Sequence, residues 1–288
     1  MKLSVSSYSF QSKIKTGEMT QFDTIAAASS LGLSAIEFID LTPEYGKKPT
    51  LDEQKQYAER LRAEADRLGM TINAYTIGAS LFCEGTAARD EILRLEGQLE
   101  VAKILSAGIM RHDVCWKLGT GKYRSFDAML PVMAKNILAV TKYAATLGIK
   151  TCSENHGYIA QDSDRVERLV NAVGHENYGV LVDMGNFACV DEDSALAVSR
   201  LAPYAFHVHA KDFIKHPFSE HFEGGFETRG CNRLEGCAVG DGDIPVEQCL
   251  AILRRAGYDG FVSIEYEGKG DCIEGIRKGI ETLRHFGV

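Results

Sequence analysis

One unit recurs along this chain and sets what it can fold into: an amphipathic helix, a glycine, then a short β-rich run. Thr20-Gln21-Phe22-Asp23 reads as a capping-box start. Phe22, Ile25 and Ala26 follow at helical spacing, Leu31-Gly32 stops the helix, and the strand Ala35-Ile36-Glu37-Phe38-Ile39 comes next. Thr50-Leu51-Asp52-Glu53 opens a second helix with Ala58, Leu61, Ala65 and Leu68 on one face. It ends at Gly69 and feeds Thr71-Ile72-Asn73-Ala74-Tyr75-Thr76-Ile77. Further helices are expected around 88–105, 128–147, 163–173, 192–201, 246–256 and 273–285. Pro131 falls within the second of these, which predicts that it sits in the first turn. Counting the alternating N-terminal run from Met1 to Phe10, eight strands alternate with helices. This rhythm predicts a (β/α)8 barrel, one domain spanning 1–288. A doubly wound sheet with an appended domain is the alternative, but no linker or composition break supports it. Ser4, Ser6, Asn73 and Thr76 also put polar groups into strands, which suits a barrel interior better than a sheet buried on both faces. Only the segment 216–243 breaks the rhythm. Rich in glycine and charge, it is expected as a long rim loop acting as a lid or substrate-binding element.

Composition removes several function classes. Hydrophobic residues make up 45% of the 288, enough for a full core, and the net charge of −8 leaves no basic patch for nucleic acid. No stretch is long and apolar enough for a membrane span or a signal peptide. The eight cysteines lack CxxC spacing, so neither a disulfide scaffold nor a structural zinc site is implied, and a reduced, cytoplasmic setting is expected.

Four of the β-rich runs end on a metal-ligand side chain. They lead into Glu154, Asp183, His209 and Glu265. A carboxylate or imidazole at the end of a buried strand is costly unless paired or metal-bound. If the strands are parallel neighbours, their C-terminal ends share one rim, and one divalent cation satisfies all four. Three carboxylates and one imidazole suit a hard or borderline cation: Mn2+ first, with Mg2+, Co2+ and Zn2+ as alternatives. Each residue alone could equally cap a helix or pair with a lysine or arginine.

Other rim positions follow from the same strand ends. His156, just past Glu154, is a candidate general acid or base, since imidazole titrates near neutrality. Tyr8, Glu37, His112, Trp116, Asn186 and Lys211 are candidate substrate contacts, and Glu267 accompanies Glu265. Lys211 and Asp212 close their strand and could bind a substrate oxygen. His207, two before His209, points the same way one layer deeper and reads as a buried support. Gly240-Asp241-Gly242-Asp243 fits neither a phosphate-binding loop nor a dinucleotide fingerprint, and a turn explains it.

The strand endings Ser153-Glu154-Asn155-His156, Val182-Asp183-Met184-Gly185-Asn186-Phe187, His207-Val208-His209-Ala210-Lys211-Asp212 and Ser263-Ile264-Glu265 resemble the sugar phosphate isomerase/epimerase family of the xylose isomerase-like barrels. That group includes inosose dehydratases, inosose isomerases and ketose 3-epimerases. The resemblance implies a divalent metal, often manganese, on the residues matching Glu154, Asp183, His209 and Glu265, with Glu154 and Glu265 also moving the proton. It implies a small carbohydrate substrate and an isomerase or epimerase activity. A lyase acting on an inosose or a 3-keto-glycoside, C-glycoside deglycosidases included, is the alternative. Ketose 3-epimerases carry a histidine where Asn186 stands and an arginine where this chain has Lys215, which points away from a ketohexose. A non-catalytic sugar-binding protein and a zinc-dependent abasic-site endonuclease are further readings; the endonuclease needs more histidines and a basic face. A homodimer is expected, or a second kind of subunit in the deglycosidase case.

Overall fold

The computed structural model describes residues 1–288. Eleven strands run in chain order: β1 (Lys2–Ser6), β2 (Ala35–Ile39), β3 (Thr71–Ile77), β4 (Ile109–His112), β5 (Lys150–Glu154), β6 (Tyr178–Asp183), β7 (Ala205–Ala210), β8 (Asp212–His216), β9 (Phe226–Glu227), β10 (Arg233–Cys237) and β11 (Phe261–Ile264). Eight of them close a barrel in the order β1-β11-β7-β6-β5-β4-β3-β2. Every barrel pairing is parallel. The chain is therefore a (β/α)8 barrel.

Local chemistry starts and stops the helices. Thr20 with Asp23, and Thr50 with Glu53, form complete capping boxes ahead of the helices Gln21–Ser30 and Leu51–Arg67. Gly69 and Gly148 carry φ of 68° and 73°, the left-handed turn that lets the chain leave each helix and enter the next strand. No helix is long and apolar enough to cross a membrane.

Three local expectations change. The N-terminal run is a strand only to Ser6; a 3-10 turn over Ser7–Phe10 then lifts Tyr8 above the barrel. The helix Phe126–Thr146 starts at the Ser125 cap, earlier than expected, so Pro131 sits in its second turn and not its first. The segment 216–243 is not a bare loop. β8, β10 and β9 form a small antiparallel sheet over the rim, in which Arg233 pairs with both His216 and Glu227.

Alternation along the barrel strands decides what reaches the site. Outward residues such as Val5, Phe38, Tyr75 and Ile264 are buried beneath the helices. Inward residues are largely polar and satisfy one another: Ser4 Oγ lies 2.6 Å from Ser263 Oγ, and Asn73 donates to Ser4 at 3.3 Å.

Candidate metal centre and active site

Glu154, Asp183, His209 and Glu265 come from β5, β6, β7 and the residue after β11, which are consecutive around the barrel. All four are buried, and their ligand atoms lie within 4.8 Å of one another.

Each is held from behind. Asp183 Oδ1 accepts from the Gly185 and Asn186 amides at 2.8 and 2.9 Å, which turns Oδ2 inward. Gly185 allows this tight turn, since a Cβ there would lie 3.0 Å from the Lys211 carbonyl. His209 Nε2 lies 2.9 Å from Glu37 Oε2, and His207 Nε2 lies 2.8 Å from the same oxygen. Thr76 donates to Glu37 Oε1 at 2.7 Å. Nε2 of His209 therefore carries a hydrogen toward Glu37, and Nδ1 faces the cluster, 3.6 Å from both Asp183 Oδ2 and Glu265 Oε2.

These contacts test whether a metal fits. Asp183 Oδ2 and His209 Nδ1 are buried and make no hydrogen bond, although Lys211 Nζ forms an ion pair with Asp183 Oδ2 at 3.2 Å. Two orphaned ligand atoms beside two further carboxylates match the donor set of a divalent cation. Burial opposes a charge on His209, but Glu37 and Glu265 outweigh it and raise the ring's pKa well above the ordinary value. A cation binding through Nδ1 therefore displaces a proton.

The two glutamates differ. Glu154 Oε2 lies 2.5 Å from Arg111 Nη2, and its Oε1 accepts from Asn186 Nδ2 at 2.7 Å. Burial still raises its pKa against the pull of Arg111. Glu265 is buried too, but Lys211 Nζ, 2.5 Å away, and His209 outweigh that penalty and hold its carboxyl below the usual carboxylate range.

Above the quartet opens a cavity of about 370 Å3, bordered by Tyr8, Asp40, Asp113, Trp116, His156 and Glu267 among others. His156 Nδ1 lies 2.9 Å from Asp113 Oδ1 and 3.1 Å from Arg111 Nη2, so it donates to one or accepts from the other. Its ring meets Trp116 edge-on at 4.7 Å, and Trp116 is half exposed. Burial and the nearby Glu267 and Glu265 push the Tyr8 hydroxyl up to about 12, so it keeps its proton.

Tyr8, Trp116, His156 and Lys211 all border the cavity. Three expected substrate contacts do not. Glu37 is fully buried beneath His209, because its carboxylate is taken by two histidines and a threonine. His112 points out of the barrel, stacked on Tyr178, with its Nδ1 on the Asp113 carbonyl. Asn186 is buried between Glu154 and Lys211. Asp212, expected at a substrate oxygen, instead accepts from the Phe213, Gly240, Gly242 and Ile244 amides and ties down the glycine-rich turn. Arg111, Asp113 and Asp40 escape the strand-end reading. Arg111 lies in register with Cys152, two before Glu154, and so faces inward like Glu154, a pairing that no local sequence pattern carries. Asp40 and Asp113 lie past their strands, where alternation no longer orients them.

The family described as the xylose isomerase-like TIM barrel matches residues 25–286. An inosose isomerase of Halalkalibacterium halodurans is 25% identical over 234 residues, covering 80% of this chain and 76% of its own. Among solved structures, the probable 3-DHS dehydratase AsbF of Bacillus anthracis superposes with a TM-score of 0.75 at 17% identity, over 99% of both chains. The IolI protein with a bound zinc atom superposes with a TM-score of 0.73 at 18% identity, over 99% of this chain and 98% of its own. At those identities the two structures establish likeness of fold.

Proposed function

Since the chain belongs to the xylose isomerase-like TIM barrel family, we propose that it is a divalent-metal-dependent isomerase or epimerase of a small keto-sugar or keto-polyol, working by proton abstraction beside a carbonyl. One observation carries this reading. Asp183 Oδ2 and His209 Nδ1 are buried, lack hydrogen-bond partners and turn toward the same point as Glu265. Such atoms are costly to leave unsatisfied, and a divalent ion gripped by the quartet answers that cost. The single imidazole among carboxylates favours Mn2+, with Mg2+, Co2+ and Zn2+ compatible. When bound, the ion supplies Lewis acidity, which polarises a carbonyl oxygen and acidifies the neighbouring C–H.

The side chains divide the proton work. Glu154 and Glu265 stand at the two ends of the four-strand arc, with Asp183 and His209 between them. Burial lets Glu154 hold a proton and return it, while Lys211 and His209 keep Glu265 ionised and ready to take one. A proton taken by one glutamate and returned by the other to the opposite face of the same carbon yields an epimer. Returned to the adjacent carbon, it yields an isomer. Arg111 and Asn186 keep Glu154 in place throughout.

The test is deuterium incorporation from D2O into a panel of ketoses and inososes, read by mass spectrometry in the presence of Mn2+. Uptake at the carbon beside the carbonyl is expected, lost on EDTA treatment and reduced by about 100-fold or more in Glu154→Gln. Uptake that survives both changes would sink the reading.

A second reading is a lyase acting on an inosose or a 3-keto-glycoside, including the C-glycoside deglycosidase type. His156 supports it: the ring borders the cavity, a third of its side chain is exposed, and Asp113 and Arg111 orient its Nδ1, so Nε2 is free to protonate a leaving oxygen. That reaction releases water or an aglycone, visible as a mass loss in place of deuterium in recovered substrate.

A further inference from the structure

The charge of the substrate is written into the same cavity. We infer that this cavity accepts an uncharged polyhydroxy ketone and rejects phosphorylated and carboxylated ones. The inference rests on the isomerase or epimerase reading and narrows its substrate class.

The cavity's lining holds five carboxylates, Asp40, Asp113, Glu154, Glu265 and Glu267, against two cations, Arg111 and Lys211. Both cations are already engaged. Arg111 lies 2.8 Å from Asp113 and 2.5 Å from Glu154, and Lys211 lies 2.5 Å from Glu265, 3.2 Å from Asp183 and 3.5 Å from Glu267. Even with Glu154, Asp183 and Glu265 satisfied by a metal ion, Arg111 pairs with Asp113 and Lys211 with Glu267, so an anionic substrate group would have to draw one of them off a carboxylate that the ion does not neutralise, which is unfavourable. With Asp183 beneath, the carboxylates still outnumber the positive charges once a dication is counted. Among other arginines, Arg94 is held by Glu91, Arg229 by Asp162 and Arg233 by Glu227.

Backbone amides are no more available. Barrels that bind phosphate commonly use loops after the last two strands, and a glycine-rich turn with aligned N–H groups is a ready anion cradle. Here that turn follows the seventh barrel strand, and the Asp212 carboxylate already takes the Gly240, Gly242 and Ile244 amides at 2.9, 3.1 and 3.1 Å. An internal anion fills the place an external one would need.

What remains suits hydroxyl groups. Asp40 stands exposed at the cavity without an ion-pair partner. Its backbone has φ 35°, a conformation that aspartate and asparagine tolerate better than other side chains. Carboxylates such as Asp40 and Glu267 accept strong hydrogen bonds from hydroxyls, and the half-exposed Trp116 can lie against the C–H face of a sugar ring.

The experiment is isothermal titration calorimetry on the full Mn2+-loaded chain with matched probes: D-fructose against D-fructose 6-phosphate, and 2-keto-myo-inositol against 3-dehydroshikimate. Uncharged probes are expected to bind at least about tenfold more tightly than anionic ones, with the gap shrinking at high salt. Asp40→Asn, which keeps shape and backbone preference while removing one charge, should narrow the gap about threefold. Anionic probes that bind as well as uncharged ones overturn the inference while leaving the isomerase reading intact, provided deuterium exchange persists. A gap unmoved by Asp40→Asn overturns the part given to that carboxylate. If no probe of either charge binds or exchanges, the functional reading itself has failed and takes this inference with it.

Discussion

Glu37 holds the proposed metal ligand His209 from behind. Its carboxylate is hydrogen-bonded by the His207 and His209 rings and the Thr76 hydroxyl. Glu37→Gln keeps the volume but brings an amide that can donate to Nε2 and turn the ring's lone pair away from the cluster. Metal affinity is expected to fall about 10- to 100-fold with the fold retained, measured by competition against a chelating dye and checked by circular dichroism. His112 makes a different prediction. Burial depresses its pKa from 6.5 to about 4, so the folded chain holds it neutral where the unfolded chain takes up a proton. Its contribution is complete above the unfolded value and is lost as pH falls through that window, by at most about 3 kcal/mol. Denaturant midpoints between pH 6.5 and 4 should therefore fall less steeply in His112→Gln than in the parent. The contrast between these two residues marks how far the sequence can be read. The quartet is legible because each ligand ends an apolar run, where a charged group demands a reason. The parts of Glu37, His112 and Arg111 are not, since adjacent strand residues face opposite sides and only the register says which faces in.

At the scale of elements, the small rim sheet is tied to the site through one glycine. A Cβ on Gly236 in β10 would run into the backbone carbonyl of Glu267, so the strand lies flush against the segment that carries Glu265. Gly236→Ala is expected to push that segment aside, at about 1–3 kcal/mol of overpacking, and to weaken metal binding with it. Metal titration alongside a melting curve checks this: a destabilised protein with unchanged metal affinity would mean the segment yields without disturbing Glu265. The helices and barrel strands were readable from periodicity and glycine stops. The rim sheet was not, because its strands are short, polar and interrupted by glycine, and their pairing depends on contacts such as Phe213 with Gly236 that no local pattern announces.

At the scale of the molecule, the quartet joins strands far apart in sequence, so a bound ion ties β5, β6, β7 and β11 into one unit. Mn2+ at about 100 times its dissociation constant should stabilise the fold by about 2.7 kcal/mol. A rise in the melting temperature, reversed by EDTA and absent in Asp183→Asn, is the expected result; a shift that survives in that variant would put the ion elsewhere. The barrel's closure also divides labour between its two sides. The four proposed ligands sit on β5, β6, β7 and just after β11, whereas Asp40, Arg111, Asp113 and Trp116 hang on β2, β4 and the loops that follow. One half of the stave ring is thus a fixed anvil, braced from across the barrel by Glu37 and Arg111, while Asp40 and Trp116 on the opposite loops form an exchangeable die. Natural or laboratory variation at those loop positions can recut the die for a new substrate outline and leave the anvil and its braces untouched.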